Sequence, residues 1–396
     1  MGTHRHHRTP GREETGALPP LDGPRLTRRG GLRLAAAGAA GLVTALGTGG
    51  AMAAGPAPTG TGGRAGGTPA RPPQDLPVPG EGLAPGVHAH CAVTATTLWV
   101  EPRGNRPGID DPSLTTPVDL DAWNANMQDT ETRRWLTGEL ESQAVLGSPV
   151  IVDEVDGDWA RIVVTAQPTP RDPRGYPGWV PTTQLVVDED FAAAAASSPT
   201  ATVTALTSML SRTPSGSAPL IPVSFDTVLP VLGRTGRSVR VAVPGGGSAH
   251  LPAEDVVVRA PGEQPPLPSV EDIIATGERF LGLRYLWAGV SAYGYDCSGF
   301  TYTLFHHHGI TICRDAGPQM RDSGLEEVDR EDLQRGDLVF FATEPGGDSI
   351  RHVALYLGED MILQSPNAAR SVEIMSLSEY DPDGEYAGAR RVALAR

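Results

Sequence analysis

Tyr295-Asp296-Cys297-Ser298-Gly299-Phe300 is the stretch on which the reading of this chain turns. Gly294 ends a loop just before it, and Phe300, Leu304 and Phe305 form an apolar stripe at helical spacing, so a helix is predicted from near Cys297 to Gly309 with the cysteine at its start. A thiol attacks only as thiolate, and a helix N-terminus beside an imidazole can lower a cysteine pKa from about 8.5 to roughly 3.5–7.5. The unpaired amides of a first helical turn also suit an oxyanion. His352 opens the apolar strand Val353 to Leu357, a rigid mount for a general base. Gln364 ends the next short strand, and antiparallel pairing through the Gly358-Glu359-Asp360 turn would bring it alongside that imidazole to orient it.

Around this core the last piece of the chain, residues 269–396, reads as helices followed by strands, the pattern of an α+β domain. Ser269-Val270-Glu271-Asp272 is a capping box opening an amphipathic helix with Ile273, Ile274, Phe280 and Leu281 as its apolar face. Strands are expected at 337–341, 352–358, 361–364 and 371–374. Proline-rich residues 261–268 and an Ala/Ser run around 191–200 mark breaks, which set off segments 87–190 and 200–262. Both segments carry short alternating strands, tight turns and a closing Val-Pro or Leu-Pro, and resemble bacterial SH3-like barrels in tandem. An insertion at 104–141 has helical character from Leu120 to Leu140, and its Trp123, Met127, Trp135 and Leu136 read as local core.

The amino-terminal part is of another kind. Thr27-Arg28-Arg29-Gly30-Gly31-Leu32-Arg33, an apolar small-residue run to Gly47 and Ala51-Met52-Ala53 have the parts of an export signal, resembling the twin-arginine type, over residues 1–54. Residues 55–86 are dominated by Pro, Gly, Ala and Thr and read as a flexible tether. The apolar run is shorter than the roughly 20 residues a bilayer demands, so no integral span is expected in the mature form. All 32 basic residues are arginine against 47 acidic ones, which argues against a nucleic-acid partner. Cys91, Cys297 and Cys313 allow at most one disulfide: Cys91 with Cys313 would leave Cys297 free, and inert buried thiols are the alternative.

Four ordered blocks carry a resemblance: Tyr285-Leu286-Trp287-Ala288-Gly289, Asp296-Cys297-Ser298-Gly299-Phe300, Gly336-Asp337-Leu338-Val339-Phe340-Phe341 and His352-Val353-Ala354-Leu355-Tyr356-Leu357-Gly358. Together they resemble the NlpC-type cell-wall cysteine peptidases, which implies a papain-like α+β catalytic domain behind the two SH3-like barrels. Residues 167–181 look like the first-barrel loop of γ-D-glutamyl-L-diamino acid endopeptidases in that family. The resemblance implies an exported, extracellular or wall-associated enzyme that needs no cofactor or metal. It would cut the γ-D-Glu–diamino-acid bond of peptidoglycan stem peptides whose N-terminal L-Ala is free. Cys297 and His352 would be the nucleophile and base, Gln364 the third member and Tyr285 an oxyanion donor. Asp296, Tyr176 and Glu141 would meet the ammonium, Trp287 would wall the pocket, and Ser298, Arg314 and Asp315 would complete substrate binding.

Two positions depart from the family. Gln364 stands where His is usual, and a neutral amide stabilises imidazolium less than a carboxylate would. Cys313-Arg314-Asp315-Ala316 lacks the hydroxyl of the usual Pro-Arg-Asp-Ser. Glu141 has a second reading as a solvated helix-end charge, and His306-His307-His308 reads as a solvated helix end, since consecutive helix positions point apart. His4, His6 and His7 would leave with the signal. Two alternatives to the gated peptidase remain, a hydrolase of intact wall and a non-catalytic wall-binding protein.

Overall fold

The computed structural model describes residues 77–395; the export signal, with His4, His6 and His7, and most of the tether lie outside the described residues. The first sheet contains β1 (His88–Cys91), β2 (Ala95–Trp99), β3 (Leu140–Val145), β4 (Pro149–Asp156), β5 (Trp159–Val164), β6 (Tyr176–Pro181) and β7 (Leu185–Val186). Their order is β3-β2-β6-β5-β4-β1-β7, and its two ends do not pair, so the SH3-like unit is a curled sheet rather than a closed barrel. β4 and β5 form the expected hairpin, with Val152 opposite Ile162 and Gly157 at positive φ in the turn. β1 and β3 were not read from the sequence.

The inserted segment breaks into α1 (Leu120–Asn126) and α2 (Thr130–Arg134), capped by Asp119 and Asp129, whose carboxylates accept the Ala122 and Thr132 N–H groups. Trp123, Met127 and Leu136 are buried as expected, but Trp135 is exposed, with the Arg106 guanidinium 4.1 Å from its ring centre. Leu140 belongs to β3, so Glu141 lies on a strand and not at a helix end.

The second sheet has the same plan: β8 (Thr200–Val203), β9 (Thr207–Ser211), β10 (Pro219–Ser224), β11 (Val228–Thr235), β12 (Ser238–Val243), β13 (Gly247–Pro252) and β14 (Val256–Arg259), in the order β10-β9-β13-β12-β11-β8-β14. The Ala/Ser run read as a break is a helix, α3 (Glu189–Ser197), capped by Asp188 and pinned by buried Phe191 in the second sheet's core. Alanine loses no side-chain entropy in a helix, so the run folds once one anchor is buried.

The last segment begins with α4 (Val270–Glu278), whose capping box is formed as the sequence indicates. Ile273, Ile274 and Phe280 are buried, whereas Leu281 is exposed beyond the helix end. The hairpin β15 (Val290–Ser291) and β16 (Gly294–Tyr295) leads into α5 (Cys297–His307) and α6 (Ala316–Arg321). β17 (Glu326–Val328), β18 (Leu338–Ala342), β19 (Ile350–Gly358), β20 (Met361–Gln364), β21 (Glu373–Ser376) and β22 (Tyr386–Arg391) form a sheet of order β17-β22-β18-β19-β20-β21, and α7 (Leu377–Tyr380) follows β21. Phe300 and Leu304 of α5 share one core with Val353 and Leu355 of β19, which holds the helix start against the strand that carries His352.

Phe225, in the turn between β10 and β11, is fully buried in this core and lies edge-on to Phe280 at 5.2 Å. Beside it the three histidines depart from the solvated helix end expected. Asp226 lies 2.5 Å from His306 Nδ1 and 3.2 Å from His307 Nδ1, and His308 Nε2 is 3.0 Å from Thr276 Oγ1. The sequence places the three in a row but cannot show that a carboxylate from a different segment waits for two of them.

Burial pulls the His306 pKa down, but the charge and hydrogen bond of Asp226 outweigh it and the net shift is upward. Burial pushes the Asp226 carboxyl up, and His306 and His307 together bring it below its ordinary value. A raised imidazole stabilises fully below its unfolded value and fades as pH rises through its folded one, while a lowered carboxyl stabilises above its unfolded value and fades in acid. The clamp is therefore strongest between the ordinary values of 3.8 and 6.5. Asp226 has φ 66°, which Asn tolerates. Asp226→Asn should cost about 1–3 kcal/mol in that window, with the difference in Tm from wild type shrinking toward alkaline pH; thermal melts across pH measure it.

Candidate active site

Asp296 builds the start of α5. Its Oδ1 accepts the Gly299 N–H at 2.6 Å, which caps the helix, and the first-turn N–H groups of Cys297 and Ser298 have no helical carbonyl to bond. Gly299 is required by close approach: a β-carbon there would stand 2.0 Å from the Gly289 carbonyl oxygen. The nucleophile helix thus sits directly on the loop that carries Tyr285 and Trp287.

The environment of Cys297 is the reverse of what its helix position suggests. Burial, then the charge of Asp296, pushes the thiol pKa up to about 12, against hydrogen bonding by the Val353 and Ser298 backbone and the charge of Arg314. His352 is pulled down to about 3, mainly by burial, with Gln364 opposing and Arg351 adding to the fall. At neutral pH the resting pair is thiol and neutral imidazole.

Gln364 fixes which imidazole nitrogen is free. Its Nε2 donates to Glu373 Oε1 at 3.2 Å, and Glu373 is held by Arg370 at 2.8 Å. That leaves Oε1 to accept from His352 Nε2 at 2.7 Å, so the lone pair is on Nδ1. The sequence placed Gln364 beside His352 correctly, through the β19–β20 pairing, but not Glu373 and Arg370, whose role depends on β21 pairing with β20.

A cleft of about 380 Å³ brings together Cys297, Tyr285, Trp287, Asp296, Ser298 and Asp315 from the catalytic segment with Glu141 and Tyr176 from the first sheet. Burial, with Cys297 and Asp296 nearby, raises the Tyr285 pKa and keeps its hydroxyl protonated as a donor. Trp287 Nε1 donates to the Leu140 carbonyl at 3.0 Å, tying that wall to β3. Tyr176 Oη donates to Asp315 Oδ2 at 2.9 Å, and burial raises the pKa of both groups despite the Arg314 charge.

Arg314, fully buried, joins these parts. Nη1 and Nη2 bind Asp296 Oδ1 and Oδ2 at 3.1 and 2.8 Å, Nη1 also donates to Ser298 Oγ, and Nε donates to Ser142 Oγ on β3. Glu141 is bound through both oxygens by Arg171, a partner the sequence did not suggest. The three cysteines are free thiols, so Cys91 and Cys313 take the inert reading; Cys91 Sγ donates to the Ala144 carbonyl. The cleft is also bordered by Arg321 and by Ser349, Ile350 and Arg351.

Known proteins resemble this chain in family, sequence and fold. Residues 282–391 match the NlpC/P60 family, and residues 203–258 match the YKFC SH3b2 domain. The chain is 46% identical over 301 residues to a gamma-D-glutamyl-L-lysine dipeptidyl-peptidase of Bacillus cereus, covering 76% of this chain and 89% of that one. It is 34% identical to a Bacillus subtilis enzyme of the same description, over 76% and 98% of the two chains. The crystal structure of an NlpC/P60 family protein from Bacillus cereus superposes with a TM-score of 0.73 at 45% identity, covering 77% of this chain and 99% of that one.

Burial makes the imidazole hard to protonate, and the neutral amide at position 364 offsets this only in part. Exchanging the pair, Gln364→Glu with Glu373→Gln, keeps a hydrogen bond between them and puts a carboxylate on Nε2. The imidazole pKa should rise, and the acidic limb of kcat/KM should move to higher pH by roughly one to three units; a pH–rate profile on a stem tripeptide checks this.

Proposed function

The chain belongs to the NlpC/P60 family, and from that footing we propose that it is a cysteine peptidase cutting the γ-D-Glu–diamino-acid bond of peptidoglycan stem peptides that carry a free N-terminal L-Ala. The observation that carries the reading is the cleft itself: a cysteine at a helix start lines it, Ile350 and Arg351 of the strand that carries the buried His352 border it, and Tyr176 and Glu141 of the first sheet complete its lining. The chemistry follows from the groups present. As Cys297 Sγ bonds to the γ-carbonyl carbon, its proton passes to His352 Nδ1. The oxyanion is met by the free amides of α5 and by the Tyr285 hydroxyl. The imidazolium then protonates the departing amine of the diamino acid, and water releases the L-Ala-D-Glu portion from sulfur.

Because thiol and imidazole rest neutral, their proton moves only with substrate in place, and the thiol stays protonated between turnovers. The ammonium of L-Ala would be met by Asp315, oriented by Tyr176, and by Asp296 Oδ2, which accepts from Arg314 Nη2 and keeps a lone pair. Glu141 is already neutralised by Arg171 and would contribute through the field of the pair rather than as a free carboxylate. A stem still joined to muramic acid has an amide in place of the ammonium, which would leave the buried carboxyl without a counterion. Ala316, bordering the same pocket, supplies no hydroxyl to the substrate.

An SH3-like wall-hydrolase architecture and the arginine-pair leader support an extracellular or wall-associated location, and no helix of the described residues is long and apolar enough to cross a membrane. Incubation with free L-Ala-γ-D-Glu-diaminopimelate and with the same stem attached to muramic acid tests the reading. The free peptide should be cut at least about 100-fold faster, and Cys297→Ala should cut neither. Equal cleavage of both would remove the amine gate, and cleavage that survives Cys297→Ala would remove the thiol mechanism.

A further inference from the structure

The gated reading uses the acidic groups of the cleft and leaves its arginines without a role. Asp315 stands immediately before α6 and Arg321 ends it, and both line the cleft. Helical side chains lean back toward the N-terminus, and Arg321 does so: a β-carbon on Gly317 would lie 2.6 Å from its Nη2. Gly317 lines the cleft too, so the absence of a side chain there lets the guanidinium lie over the groove.

Two arginines border the cleft and differ in their commitments. Arg351 is bound by Glu385 and donates to Tyr380 Oη at 3.1 Å, which leaves its charge neutralised. Arg321 Nη1 donates to the Asp348 carbonyl at 3.4 Å, and among the described residues no carboxylate pairs with it. The cleft therefore holds an acidic group and a cation that are not spent on each other.

The chemistry decides which part of the substrate reaches Arg321. The leaving amine takes its proton from His352, so the diamino acid lies on the His352 side of Cys297. Asp348, Ser349, Ile350 and Arg351 run straight into His352, and Arg321 is bonded to the first of them. Resting on the function proposed above, we propose that Arg321 is a specificity-determining residue that binds a carboxylate of the diamino acid. The ligand is either the α-carboxylate of a stem that ends there or the side-chain carboxylate of diaminopimelate. Guanidinium presents a planar fork that matches a carboxylate through two hydrogen bonds, which an amide cannot reproduce. The preferred substrate is then a short peptide with an ammonium at one end and a carboxylate at the other.

Wild type, Arg321→Ala and Arg321→Lys should be compared on three free tripeptides, L-Ala-γ-D-Glu followed by diaminopimelate, by L-Lys or by L-Lys amide. Wild type should favour the peptide or peptides whose carboxylate meets Arg321 over the amide. Arg321→Ala should lose about five-fold in kcat/KM on them, chiefly through KM, as befits a solvent-exposed ion pair. Its rate on the amide should be unchanged, and Arg321→Lys should recover part of the loss. A loss confined to diaminopimelate assigns the side-chain carboxylate, and a loss on both free acids assigns the α-carboxylate. Equal use of all three peptides by wild type, or the same loss on all three in Arg321→Ala, overturns the assignment while leaving the peptidase reading intact. No Cys297-dependent cleavage of any of them overturns both.

Discussion

The buried pair of Arg314 and Asp296 is the constraint on which the site depends. Asp296 caps the nucleophile helix, and Arg314 holds that carboxylate while reaching Ser142 on β3 and, through its backbone N–H, the Pro168 carbonyl. A buried ion pair contributes little net stability, because removing two charges from water costs several kcal/mol per ion. Its contribution is geometric. One guanidinium sets the helix start, the Ser298 side chain and the position of the first sheet against the catalytic core. Burial pulls the Arg314 pKa down, but Asp296 and its neighbours more than reverse this, so the charge that organises the site is permanent.

The same burial shapes the reactivity. Enclosing Cys297 and His352 drives both toward their neutral forms, and Asp296, needed as cap and partner to Arg314, raises the thiol further. Gln364 offers the imidazole a strong acceptor without a charge, so the ring is held in one tautomer but not driven to imidazolium. A resting thiol resists oxidation better than a thiolate. The arrangement thereby exchanges a pre-formed ion pair for one that forms during attack, when the developing oxyanion meets the α5 amides and Tyr285.

What could be read from the sequence was whatever depends on local periodicity. The α5 stripe placed Cys297 at a helix start, the Ser269–Asp272 box marked α4, and alternation located most of the hairpins. Gln364 was found because a tight turn brings one strand back along another. What was missed depends on pairing between distant segments. β1 and β3 are recognisable only through β4 and β2, Glu373 matters because β21 joins β20, and Arg171 is seen to hold Glu141 only when the loop before β6 folds over β3. The histidine run and the Ala/Ser run were misread for the same reason, since Asp226 and the second sheet's core, which decide them, lie elsewhere in the chain.

The second sheet bears on how the enzyme can be used. Wall-binding modules that act as anchors are expected to swing on linkers, sharing little with the catalytic core. Here Phe225 is part of that core, Asp226 clamps His306 and His307 on the far end of α5, and the Ala292 N–H donates to Ser224 Oγ. The nucleophile helix is thus held at both ends: by the first sheet through Arg314 at Cys297, and by the second through Asp226 at His307. A helix braced in this way keeps the cleft at a fixed width and keeps the first-sheet wall in place. That rigidity suits a pocket that measures a small soluble peptide, and it fits poorly with a groove that must open around cross-linked glycan.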